Sequence, residues 1–156
     1  MKKDKLIRFC ATVAGLLLVL LFLCGCGQQA GALKDGYYTA EAAEFDDYGW
    51  KEYVTIFVSE NRIITVEYDA KNASGFIKSW DMDYMREMNA VDGTYPNEYT
   101  REYADGLVNR QDPEAVDMIT GATHSYHSYQ QLAHAAIEQA EKGMTDVAYV
   151  ALTTEE

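Results

Sequence analysis

Cysteine is almost absent from this chain, and its placement excludes two architectures. The three present are Cys10, Cys24 and Cys26. Nothing after residue 26 is a cysteine, so neither a disulfide framework nor a cysteine metal site can form there. A domain without thiols avoids stray oxidation, which makes the absence compatible with export. Basic residues are also scarce: 13 Lys and Arg stand against 25 Asp and Glu, a net charge of −12. The first 25 residues hold Lys2, Lys3, Lys5 and Arg8 against Asp4, net +3, which leaves the remainder at −15 when the whole chain is at −12. So acidic a domain repels nucleic acid and anionic lipid headgroups. Repeats and low-complexity tracts are missing. The length of 156 residues suits one domain.

The single long apolar run lies at the N-terminus. Met1 to Arg8 is basic, and Phe9 to Cys24 is uncharged and mostly apolar. Gly25, Cys26 and a polar stretch follow, the order of a secretory signal. A permanent span needs roughly 20 apolar residues to cross ~30 Å of hydrocarbon. This run is shorter and contains Gly15. Leu23-Cys24-Gly25-Cys26 resembles a bacterial lipobox, with Cys24 where Ala or Ser is more usual. The resemblance implies cleavage before Cys26 and a diacylglyceryl group on its sulfur. Two acyl chains at about 0.8 kcal/mol per buried CH₂ anchor a protein stably. The division expected is a signal peptide at 1–25, a lipidated tether at 26–34, a domain at 35–152 and a tail at 153–156.

Strand signals open the domain. Tyr37 to Ala43, Tyr53 to Ser59 and Arg62 to Tyr68 are rich in aromatic and β-branched residues. Glu60-Asn61 suits a tight hairpin, so the three predict an antiparallel meander. Asn72 to Gly75 reads as a loop. Helical spacing follows in Asp81 to Met88, where Met82, Met85 and Met88 read as core packing. A second helix is expected from Asn97 to Gln111, with Pro96 before it and Asp112-Pro113 ending it. Ala115 to Ile119 suits a short strand or an extended approach. The clearest helix is Ser125 to Lys142, with Tyr129, Leu132, Ala133, Ala136, Ile137 and Ala140 on one stripe. Ser125 or Ser128 can cap its start, and Gly143 follows its end. Met144 to Leu152 adds a last strand. Strands first and helices afterwards predict an α+β domain, an antiparallel sheet meander with helices packed on it.

The residues that carry chemistry run from Asp117 to Tyr126. A Gly-containing turn there leads into a helix, whose first amides and positive dipole end suit a phosphate. Gly121 permits a positive φ or a close approach, and Thr123 offers a hydroxyl beside the anion site. Capping chemistry alone explains such a junction equally well. Asp117-Met118-Ile119-Thr120-Gly121-Ala122-Thr123 also resembles the flavinylation motif of the FMN-binding domain family. That family includes the flavin subunits of sodium-pumping NADH:quinone reductase and flavin lipoproteins of Gram-positive extracellular electron transfer. Lys34-Asp35-Gly36-Tyr37-Tyr38-Thr39-Ala40 is similar to the family's opening strand, with Ala40 where Gly is common. Asn61-Arg62-Ile63 stands where the family often has Gly-Lys-Ile, and the resemblance runs from Leu33 to Leu152.

The resemblance implies a covalent FMN, moved from FAD by a separate FMN transferase onto the Thr123 hydroxyl as a phosphoester. Asp117, Thr120, Gly121 and Ala122 would shape the transferase recognition site, with His124, Ser125 and Tyr126 beside the cofactor. It also implies an electron carrier and not an enzyme with its own substrate. The expected location is the extracytoplasmic face of the bacterial membrane. Electrons would come from a membrane quinone-linked donor and leave to an extracellular acceptor. A covalent link would keep the cofactor from dilution at a cell surface, and the ring would do the redox work. The alternatives are a lipoprotein holding FMN without a bond or without redox work, and a structural protein whose motif is only a cap. Trp50 and Trp80 are candidate ring contacts. His124, His127 and His134, with Glu138, fit no compact metal pattern. Ser125, His127 and Asp117 lack the elbow and oxyanion hole of a hydrolase.

Overall fold

The computed structural model describes residues 31–153. The expected signal peptide, Cys26 and the start of the tether lie outside the described residues, as does the tail beyond Thr153.

Alternation builds the sheet. Strand β1 (Gly36–Ala42) pairs antiparallel with β2 (Lys51–Ser59), and β2 pairs antiparallel with β3 (Arg62–Lys71). Glu60 and Asn61 close the β2–β3 hairpin with φ of 51° and 60°, the left-handed pair that a two-residue turn demands. Along β2, Glu52, Val54, Ile56 and Val58 are buried, while the residues between them turn to the other face. A bulge between Phe57 and Val58 leaves Ile64 of β3 unpaired. The face away from the helices carries side-chain ladders. The Thr39 and Thr55 hydroxyls are 2.9 Å apart, and the Tyr37 and Phe57 rings stack at 4.6 Å. Glu41 lies 3.3 Å from the Lys51 ammonium and 2.5 Å from that of Lys71. Partial burial pushes the Glu41 carboxyl up, but the two ammonium groups outweigh it and hold it below the usual value.

The expected last strand forms only over Ala148–Val150, β4, which pairs parallel with β1. The sheet is therefore mixed, in the order β3-β2-β1-β4. The antiparallel meander holds for the first three strands. The fourth returns after a helix, and such a crossover permits parallel pairing that a short hairpin cannot make. Side chains hold its flanks: Gln139 donates to the Asp146 carbonyl, and Gln131 bonds both the amide and the carbonyl of Thr153.

Three helices cover one face: α1 (Met82–Asp92), α2 (Pro96–Arg110) and α3 (Thr123–Lys142). Helix α2 packs on β3, and α3 packs on β1 and β2. Between them and the sheet lie Val54, Ile56, Val58, Tyr68, Tyr99, Tyr103, Leu107, Tyr129 and Leu132. Each such side chain removed from water contributes about 1.5–3 kcal/mol. Ala133, Ala136 and Ala140 let α3 lie close to the strands. Helix α1 departs from expectation, because none of its residues is buried and Met82 is exposed. A spacing of three drifts by ~60° per step around a helix, so Met82 and Met88 lie ~120° apart around it. Only Met88 packs against the core. Residues 117–119 form no helix or strand, so the short strand considered for that segment is absent.

Candidate functional site

The turn before α3 is fixed from three sides. The Ala122 amide donates to the Ile119 carbonyl at 3.0 Å, closing a four-residue turn with Gly121 in third place at φ 86°. A Cβ on Gly121 would lie 2.3 Å from the Asp92 carbonyl oxygen, so this position admits only glycine. The Tyr103 hydroxyl grips the same turn from α2. It accepts from the Ile119 amide at 3.2 Å and donates to the Ala122 carbonyl at 3.3 Å. Tyr126 ties in the approach to the turn by donating to the Val116 carbonyl at 2.9 Å.

Thr123 is therefore the first residue of α3 and is exposed. The helix starts two residues before the expected Ser125. Ala122 is its N-cap and no side chain caps it. Ser125 and Ser128, the expected caps, are buried within the first two turns. With the Ala122 amide spent in the turn, no side chain caps the first amides of α3 at its positively polarised end. A hydroxyl and an anion-receptive set of amides thus share one exposed corner. His124 and Thr120 are exposed beside it.

Beneath that corner is a buried polar cluster absent from the sequence expectations. Glu52 is 7 % exposed at the sheet end of β2. Burial pushes its carboxyl up, while the Ser128 hydroxyl, Lys78, Tyr68 and His124 pull the other way and do not prevail. The Tyr68 hydroxyl stands 3.1 Å from Glu52 Oε1 and 2.8 Å from the Ser125 carbonyl oxygen. The Lys78 ammonium faces the rings of Trp50 at 5.9 Å and Tyr84 at 5.2 Å. Asp69 holds the Lys78 turn in place by accepting from the Ser79 amide at 3.2 Å.

The motif residues separate into two groups. Thr120, Thr123 and His124 face outward, and Gly121 and Ala122 shape the backbone between them. Ser125 is buried, and Tyr126 packs its ring on Tyr103 at 5.7 Å, so the described contacts of both are internal. Asp117 is exposed, with Arg110 at 3.9 Å. Trp50 is buried at the cluster and Trp80 is 65 % exposed. His134 pairs with Glu114 at 2.7 Å, away from His124 and His127 in the chain. Glu52 left a signal in the sequence, because it falls on the inward parity of Val54, Ile56 and Val58. Lys78 left none.

The α+β domain thus presents an exposed hydroxyl at a helix start without a side-chain cap, behind an obligatory glycine. The sequence model of the FMN-binding domain family matches residues 48–138. The chain is 36% identical over 127 residues to the 15 kDa lipoprotein of Treponema pallidum (strain Nichols), covering 81% of this chain and 87% of that one. A crystal structure of a Clostridium perfringens protein superposes with a TM-score of 0.73 at 37% identity, over 76% of this chain and 97% of that one. The protein belongs to the FMN-binding domain family.

Proposed function

We propose that this protein is a lipid-anchored, extracytoplasmic electron carrier whose FMN is held as a phosphoester on Thr123. The observation that carries this reading is the placement of Thr123: an exposed hydroxyl on the first residue of a long helix with no side-chain cap. The residues present fit the group. The first-turn amides, without a side-chain cap, suit its phosphate. Thr120 and His124 flank the same corner, and Gly121 keeps the turn in the only shape that presents it. The ester would form with the Thr123 oxygen losing its proton and taking the bond to the FMN phosphorus of FAD, while AMP departs. When bound, the isoalloxazine ring supplies reversible two-electron chemistry. The chain's own part is to fix the phosphate end and to set the charge around the ring.

The lipobox-like ending at Cys26 and the resemblance to a lipoprotein support the anchor. The donor would be a quinone-linked membrane module and the acceptor an extracellular one. Intact mass after co-expression with an FMN transferase tests the reading. The expected result is a gain of one FMN monoester in the wild type and none in Thr123→Ala. A wild-type protein without that gain defeats the covalent reading. Flavin that co-purifies but dissociates on unfolding would mark a non-covalent binder instead.

A further inference from the structure

Helix α1 keeps its apolar side chains outside. None of its residues is buried, and Val91 is 84 % exposed. Met82 and, just before the helix, Trp80 are exposed as well. In the loop between β1 and β2, Tyr48 is 85 % exposed. Tyr48 and Val91 are the two most exposed large hydrophobic side chains among the described residues. Scattered ones are ordinary on a soluble protein, but these gather at one end of the domain. The same end presents Thr123. The Asp92 carbonyl, at the close of α1, lies against Gly121 of the Thr123 turn. Burial pushes the Tyr84 phenol of α1 up, and Asp46, Tyr48, Asp92 and Glu52 add to it, so loop, helix and sheet end converge there.

Charge around this patch has one sign. Residues 42–50, 81–95 and 116–124 hold eight Asp and Glu against a single Lys or Arg, Arg86. The Arg86 guanidinium is bonded to Asp83. Lys78 is buried beside Trp50 and Tyr84, and Lys51 and Lys71 pair with Glu41 on the sheet face away from the helices. A hydrophobic patch in an acidic surround complements a basic protein surface. It repels anionic lipid, and it repels a second copy of this chain, which carries the same sign.

Resting on the flavin reading above, we propose that the outer face of α1, with Trp80 and Tyr48 beside it, docks a basic redox protein that exchanges electrons with the flavin on Thr123. Docking there brings the partner to the end of the domain that holds the cofactor. Towards a partner with a one-electron metal centre the exchange balances simply. Reduced FMN gives one electron to each of two ferric centres in turn and releases two protons to solvent.

A basic cytochrome c is the probe, and binding is read first on the protein without flavin. Nitrogen-15 NMR should show shifts at residues 46–50 and 80–92, and these should vanish at ~1 M NaCl, where screening sets in at about 3 Å. Shifts centred elsewhere, or none at low salt, overturn the proposal. Two variants that remove three charges each separate docking from bulk attraction. Glu44→Gln/Asp47→Asn/Asp92→Asn alters this end. Glu60→Gln/Glu138→Gln/Asp146→Asn alters the end where Lys34 enters. The first should weaken binding about tenfold and the second less than about twofold. Equal weakening overturns the proposal. Val91→Ser changes no charge and should also weaken binding, and unchanged affinity would remove α1 from the docking face. Rapid mixing of reduced, flavin-loaded protein with ferric cytochrome c should rank the three-charge variants in the same order, and equal rates overturn the electron exchange. Wild type that gains no FMN mass would sink the Thr123 reading and the exchange with it, while the NMR map still decides whether this face docks a basic protein.

Discussion

Gly121 shows how much one missing side chain can decide. Its φ of 86° and the Asp92 carbonyl 2.3 Å from where a Cβ would stand both exclude substitution. Gly121→Ala should cost about 2–4 kcal/mol in urea unfolding, with Thr123 flavinylation falling further than the stability loss explains. An alanine variant that is as stable and as well flavinylated as wild type would show the turn to be adaptable. This glycine and Thr123 were legible as letters of a motif, because both act at fixed offsets along the chain. Glu52 was half legible, since alternation along β2 placed a carboxylate on the buried face. Lys78 was not legible. Its contacts with Trp50 and Tyr84 exist only once folding brings the three together.

Elements were legible where periodicity alone decides them, and not where a neighbour does. Strands β1 to β3 and the stripe of α3 followed from spacing. The start of α3 did not, because a side-chain cap was expected at Ser125 and the backbone turn at Gly121 starts the helix earlier. The brevity of β4 was equally hidden, since its limits are set by hydrogen bonds from Gln131 and Gln139 of α3. Tyr103 links two elements by the same logic, holding the Thr123 turn to α2 through two hydrogen bonds. Tyr103→Phe removes both and should cost about 1–2 kcal/mol. Hydrogen exchange should report a selectively faster Ile119 amide, and a uniform change along the chain would argue against a local clamp.

At the scale of the molecule, charge works against compactness. A net of −12 over the whole chain means self-repulsion that salt relieves. Raising NaCl from ~0.1 M to ~1 M shortens the screening distance from about 10 Å to about 3 Å and should raise Tm by roughly 2–5 °C. A Tm that falls over this range would mean that ion pairs such as Glu41 with Lys51 and Lys71 outweigh the repulsion. The α+β class was readable from element order, whereas the mixed pairing was not, because β1 and β4 meet across the length of the domain sequence. The two ends of α3 also do different things. The incoming chain is fastened at the C-terminal end, where the Lys34 amide donates to the Ala140 carbonyl and its ammonium to the Lys142 carbonyl. Thr123 is at the other end, roughly 30 Å away at 1.5 Å per residue. If the proposed anchor and the Thr123 ester both hold, the helix would be a rigid spacer between the entry of the chain at Lys34 and the flavin phosphate, and an electron donor would have to reach across that length.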